Sequence, residues 1–260
     1  MSFPAERIVC LTEETTETLY RLGQQHRIVS ISGYTVRPPE ARRDKPRISA
    51  FTSADTAKIL ALKPDLVLAF SDMQADILAE LARHGLNIHL FNQRDIAGIL
   101  ASIRLLGAIT GVPERGEALA QELAAGLMPV KIARRPKVYF EEWDEPMICG
   151  IGWVSELIRI AGGEDAFADR AGGKAAKDRF VTPEDVIARA PDIVIGSWCG
   201  KKFRPERFAA RPGFDALPAV RNNRLHEVKS TIILQPGPAA LTDGLAALKA
   251  IIAQDAATVR

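Results

Sequence analysis

Glu141 and Glu142, followed by Trp143 and Asp144, put three carboxylates and an indole into four consecutive residues, and Lys201, Lys202 and Arg204 supply cations further along the chain. Carboxyls crowded together shift one another's pKa and can act as acid and base, which is one chemistry this set could do. The other is electrostatic. Two carboxylates at the end of a buried strand repel each other unless a cation, a ligand or a lysine stands near, so Lys201, Lys202 and Arg204 are the candidate partners, with an ordinary surface cluster as the alternative. A second acidic set, Glu13 and Glu14 flanked by Thr12 and Thr15, directly follows a β-branched run. It reads as the acid-rich first turn of a helix, where the helix dipole favours negative charge.

Other chemistries find few residues. The chain has no Cys-x-x-Cys, and His26, His84, His89 and His226 lack metal-site spacing. Gly150-Ile151-Gly152 lacks the third glycine of a dinucleotide loop, and there is no Gly-x-Ser-x-Gly elbow. An enzyme would therefore rely on acid–base work by Glu141, Glu142 and Lys201, and no catalytic cofactor or metal is expected. A non-catalytic binding protein is the stronger reading, and turnover of a bound compound separates the two.

The elements that must position these residues announce themselves by repetition. Ile59-Leu60-Ala61-Leu62-Lys63-Pro64-Asp65-Leu66-Val67-Leu68-Ala69-Phe70 returns as Val186-Ile187-Ala188-Arg189-Ala190-Pro191-Asp192-Ile193-Val194-Ile195-Gly196-Ser197. Each copy is the end of an apolar-periodic helix, a Pro-Asp stop, and a run apolar enough for a strand buried on both faces. Glu17-Thr18-Leu19-Tyr20-Arg21-Leu22-Gly23 is echoed in the same order by Ser155-Glu156-Leu157-Ile158-Arg159-Ile160-Ala161-Gly162. The expected fold is thus α/β: two Rossmann-like lobes joined by a helical connector, with a ligand cleft between them.

The expected boundaries are 1–95 for the first lobe, 96–134 for the connector and 135–260 for the second lobe. Strands are expected near 7–11, 27–32, 65–70 and 87–91, with helices near 54–62, 73–84 and 95–110. Pro113 suits the first turn of a helix running to about 127. In the second lobe, strands are expected near 137–141, 192–197 and 224–228, helices near 154–161, 182–189 and 239–254, and an irregular basic loop at 199–213.

A chain of 260 residues with 47% apolar content can bury two modest cores, and a net charge of +2 is too mild for a nucleic-acid binder. No apolar stretch approaches the roughly 18 residues of a membrane span. Cys10, Cys149 and Cys199 are odd in number and far apart, and residues 1–7 carry no export signal. These features predict a cytoplasmic monomer, or a periplasmic one if a signal peptide has been removed.

The strand followed by an acid- and Thr-rich helix start, the Ala-Leu-Lys-Pro-Asp-Leu-Val unit at 61–67, the helical connector and the Ala-Pro-Asp-Ile-Val unit at 190–194 are together similar to the class III substrate-binding proteins. These carry vitamin B12 or iron-siderophores to bacterial ABC importers. The likeness runs from about Arg7 to Ile252. Residues 140–144, 153–157 and 196–205 resemble the branch known as cobalamin-binding proteins, some of which lack an export signal. The resemblance implies a small-molecule ligand, a corrinoid such as cobalamin or its precursor, with a ferric siderophore as the alternative that Arg37, Arg94 and Lys201 could meet. It also implies acidic docking patches for an importer. Asp72, Asp76 or Glu80 could serve on the first lobe, while the second lobe is basic at 201–207.

In open α/β sheets ligands lie beyond the carboxyl ends of the strands. That rule selects Thr12, Glu13, Glu14 and Thr15 after the first strand, Tyr34 and Arg37 after the second, Phe70, Asp72 and Gln74 after the third, and Phe91, Asn92 and Arg94 after the fourth. In the second lobe it selects Glu141, Glu142 and Trp143, then Trp198, Lys201 and Arg204, with Trp153 and Gln235 near by. Trp143 and Trp153 read equally as core aromatics. Trp198, placed after a strand and before Cys-Gly-Lys-Lys, is expected to lack core partners and face the ligand.

Overall fold

The Pro-Asp repeat turns out to be a physical device used twice. Lys63 and Ala190 end their helices in the left-handed region, at φ 48° and 44°, and the proline that follows cannot continue the helix. The Asp65 carboxylate then accepts hydrogen bonds from the N–H groups of Glu6 (2.8 Å) and Arg7 (3.0 Å), and Asp192 accepts one from the N–H of Lys137 (2.9 Å). The N–H groups of Asp65 and Asp192 donate to the carbonyls of Arg7 and Lys137, at 2.9 Å each. In both lobes one aspartate locks a helix-to-strand turn against the start of the neighbouring strand.

The structure, a computed structural model, describes residues 3–258, so Met1 and Ser2 of the N-terminal reading lie outside the described residues. The residues as far as Gln93 form one compact unit with Ala97–Ala125, and Arg94–Ile96 belong with the residues from Gly126 onward in a second.

In the first unit, β1 (Ile8–Cys10), β2 (Ile28–Ser32), β3 (Arg47–Ser49), β4 (Leu66–Phe70) and β5 (Ile88–Phe91) make an all-parallel sheet in the order β3-β2-β1-β4-β5. Helices α1 (Glu13–Arg21), α2 (Ala41–Asp44), α3 (Thr56–Ala61) and α4 (Ala75–Arg83) connect the strands. Val9, Leu11, Val67 and Ala69 pack with Ile59 of α3 and with Leu78 and Leu81 of α4 in a buried cluster. The pair α5 (Ile96–Ile109) and α6 (Pro113–Ala125) groups with this unit. These helices cross where Gly107 meets Gly116: a Cβ on Gly107 would lie 2.8 Å from the Gly116 Cα, so the contact requires a residue without a side chain. The short β3 went unseen in the sequence because three residues flanked by Pro46 and a polar loop carry no periodicity.

The second unit holds β6 (Lys137–Asp144), β7 (Met147–Cys149), β8 (Glu164–Asp165), β9 (Ile193–Gly196) and β10 (Leu225–Glu227), ordered β10-β9-β6-β7 with β8 pairing β6. Only β7 is antiparallel, returning on β6 after Glu145-Pro146. Its helices are α7 (Gly152–Ile160), α8 (Pro183–Arg189), α9 (Pro205–Ala209), α10 (Pro218–Arg221), α11 (Ser230–Ile233) and α12 (Leu245–Thr258). The stretch expected to be irregular at 199–213 contains α9, and the last helix begins with a π-helical segment at Ala240–Gly244. A Cβ on Gly244 would lie 2.5 Å from the carbonyl oxygen of Ile232, so α11 can approach the π segment only at a glycine.

Candidate functional site

Because all five strands of the first sheet run the same way, their carboxyl ends share one edge. Connections from β1 proceed to β2 and β3 on one side, and β4 and β5 lie on the other, so the direction of winding changes between β1 and β4. Such a switch point opens a crevice outside the strand ends, the usual ligand position in an open α/β sheet. Thr12, Glu13 and Glu14 follow β1 there, and Phe70 ends β4, with Asp72 and Gln74 just after it. Ser71 between them holds φ 67° and ψ 163°, a conformation that only glycine adopts freely and that tends to mark functional sites.

The side chains at this edge divide into two kinds. Gln74 is fully buried and spoken for: its carbonyl accepts from the N–H of Phe70 (3.0 Å) and its amide donates to the carbonyl of Phe51 (2.8 Å). Thr15 and Thr16 bond back to the Thr12 carbonyl. Phe91 is buried, its ring 4.3 Å from that of His89. Tyr34 is 54% exposed, and Asn92 and Asp72 are exposed as well. Arg37 pairs with Glu17 at 3.3 Å.

Glu13 and Glu14 differ from all of these. They are 8% and 3% exposed. Thr12 donates its hydroxyl to one Glu14 oxygen at 2.6 Å, but the second oxygen of Glu14 and one oxygen of Glu13 are buried without a hydrogen-bond partner. Burial pushes Glu13 up to about 7, and burial together with the charge of Glu13 pushes Glu14 up to about 8 against the opposing bond from Thr12.

The acidic set of the second unit is the reverse case. Glu141 is fully buried and bound on every side: Arg211 donates to both of its oxygens at 2.6 and 3.1 Å, the Trp198 indole N–H at 3.0 Å and the Tyr139 hydroxyl at 3.0 Å. Glu142 receives Arg179 at 2.5 and 3.2 Å. Lys201 pairs with Asp144, its ammonium 3.9 Å from the centre of the Trp143 ring. The sequence therefore named the right need and the wrong cations for Glu141 and Glu142. The true partners lie 70 and 37 residues away, and only the fold brings them near. Each carboxylate of this set thus has a cation beside it, although burial still raises the pKa of Glu141.

The expectation for Trp198 is also corrected. It is 2% exposed and packs edge-on against Phe203 at 5.1 Å, in a cluster with Phe208 and Phe214. Gly196 makes room for that cluster, since a Cβ there would sit 1.9 Å from the Phe203 ring. Trp153 is buried too, its N–H donating to the Ile233 carbonyl at 2.8 Å. Trp143 and Gln235 are half-buried, and Arg204 is exposed beside Glu206 at 3.7 Å.

A groove of about 640 Å³ runs along Tyr20, Arg21, Arg115 and Glu122. It lies at the carboxyl end of α1, away from Glu13 and Glu14. Among the described residues no cluster of His, Cys, Asp and Glu could hold a metal ion, and no helix is long and apolar enough to cross a membrane. Cys10 and Cys149 are buried, each pushed up to about 12 chiefly by burial, and are inert as thiolates.

Comparison with known proteins adds the family context. Residues 8–231 match the family model described as periplasmic binding protein. The vitamin B12-binding protein of Vibrio parahaemolyticus is 26% identical over 254 residues, covering 92% of this chain and 86% of that protein. The crystal structure of the periplasmic vitamin B12-binding protein BtuF of Vibrio cholerae superposes with a TM-score of 0.73 at 25% identity, over 98% and 99% of the two chains. The periplasmic heme-binding protein RhuT from Roseiflexus sp. RS-1, in apo form, gives 0.79 at 26% identity, over 95% and 99%. The two-lobe α/β fold and the resemblance read from the sequence agree with these matches. The cytoplasmic location does not: it rested on the first residues and on three scattered cysteines, and the match to periplasmic binding proteins overturns it in favour of the periplasm.

Proposed function

We propose that this chain, which belongs to the periplasmic binding protein family, binds a corrinoid at the carboxyl ends of its strands and gives it up unchanged. As a member of that family it is a small-molecule-binding protein and not an enzyme. The observation that carries the corrinoid is the likeness to a vitamin B12-binding protein over 92% of this chain and 86% of that relative.

Physical chemistry is consistent with the reading. A corrin is a broad apolar plate fringed with amides, and it needs apolar walls with a few hydrogen-bonding groups. The edge of the first sheet offers Tyr34 and Phe70 for walls, and Glu13, Glu14, Arg37 and Asn92 for the fringe. In the second lobe Trp143, Lys201 and Gln235 keep some exposure and stay candidates, whereas Trp198, Trp153 and Glu141 are buried in its frame. We infer that the loaded protein passes its cargo to a membrane importer, with the exposed Asp72, Asp76 and Glu80 as its docking acids.

A ferric chelate or haem is the second reading, favoured by the likeness to a heme-binding protein. Calorimetric titration with cobalamin, cobinamide and a ferric hydroxamate tests both. Heat with either corrinoid at one-to-one stoichiometry supports the proposal. Silence with both, alongside heat with the ferric chelate, replaces it with the second reading.

A further inference from the structure

The two unpartnered carboxyl oxygens of Glu13 and Glu14 are an unusual thing for a folded chain to keep. Most buried polar atoms have a partner, and one without costs about as much as a lost hydrogen bond. Both lie at the carboxyl end of β1, on one flank of the switch point, with the strained Ser71 on the other. The Thr12 hydroxyl is already committed to the first oxygen of Glu14, and Gln74 to backbone groups. What these two oxygens lack is an N–H or O–H donor.

Building on the corrinoid reading above, we propose that Glu13 and Glu14 form a subsite for the primary carboxamide groups of the ligand, selecting carboxamide-fringed macrocycles over carboxylate-bearing ones. A carboxyl that keeps its proton donates O–H to an amide carbonyl and accepts an amide N–H, a two-point match. An ionised carboxyl still accepts the N–H. A ligand carboxylate can take that O–H, but it has no donor for the second Glu oxygen and adds a further negative charge. Burial at this place already resists charge, holding Glu13 at about 7 and Glu14 at about 8. Selectivity of this kind arises as much from rejecting the wrong group as from holding the right one.

The matched probes are dicyanocobinamide and dicyanocobyrinic acid, which share the macrocycle, the cobalt and its axial ligands and differ chiefly in bearing amides or carboxylates. Dissociation constants would be measured for wild type, Glu13→Gln and Glu14→Gln, with melting curves to establish that each variant folds. The wild type is expected to prefer the amide by at least about tenfold, the scale of one hydrogen bond, and each Gln variant to narrow that ratio chiefly by tightening the acid, since a Gln amide donates to a carboxylate and adds no negative charge. A merely structural role would weaken both probes alike and leave the ratio in place. Equal binding of the two probes by wild type overturns the inference without recourse to any variant. An unchanged ratio in both folded variants overturns it as well. Wild type that binds neither probe but takes up a ferric hydroxamate or haem refutes the corrinoid reading itself, a failure distinct from the other two.

Discussion

The carboxylates that follow β1 and those that close β6 occupy comparable places in their sheets and stand in opposite chemical states. Glu141, Glu142 and Asp144 each have a cation, and Glu141 has an indole and a phenol besides. Among the described residues no cation pairs with Glu13 or Glu14, and each keeps an unmatched oxygen. Crowded acids in a sequence therefore carry no single meaning. Where the fold supplies arginines they become frame, and where it supplies none they are groups in want of a partner.

The largest effect should come from breaking the frame. Trp198→Ala removes a buried indole from the Phe203, Phe208 and Phe214 cluster and one donor from Glu141, and should lower unfolding free energy by about 3–5 kcal/mol in denaturant titrations. A variant that unfolds like wild type but binds cobinamide poorly would return Trp198 to the ligand site and erase the contrast between the lobes.

The next effect concerns pH. Folding raises the proton affinity of Glu13 and Glu14 from 4.5 to about 7 and about 8. The stability they contribute is therefore complete below about pH 4.5 and lost as pH rises through 7 to 8, because the folded state must then ionise buried acids. The loss should amount to several kcal/mol, and the Glu13→Gln/Glu14→Gln double variant should lack it. Parallel stability–pH curves for wild type and the double variant would show that the carboxyls of β1 are no different from paired ones.

How much of this was legible beforehand follows from the range of the interactions. The parallel strands could be read because a strand buried on both faces is a short unbroken apolar run, as in Leu66–Phe70 and Ile193–Gly196. The Pro-Asp stops could be read because their chemistry is local. The strand-end rule placed Glu13, Glu14 and Phe70 at the sheet edge with no further information. Arg179 and Arg211 could not be found, since nothing near them in the chain points to Glu142 or Glu141. Trp198 was misplaced for a related reason: the aromatic cluster that buries it is assembled from Phe203 and from Phe208 on the short α9, in a stretch that reads as loop. The location failed because neither the first residues nor three scattered cysteines carry information about the family.

A smaller effect sharpens the symmetry that the lobes do share. Asp65→Asn and Asp192→Asn each weaken charge-assisted bonds to the neighbouring strand start and should each cost about 1 kcal/mol. Chemical denaturation of the two variants should give similar losses. A loss several times larger for one of them would mean that the repeat is not the same device in both lobes.

The central claim, that this chain carries a corrinoid and does not transform it, is tested most directly by equilibrium dialysis against cobalamin and cobinamide, followed by mass analysis of the recovered ligand. One equivalent bound per chain and recovered with unchanged mass is the result expected. Failure to retain either corrinoid while a ferric hydroxamate is retained, or recovery of a corrinoid of altered mass, would contradict it.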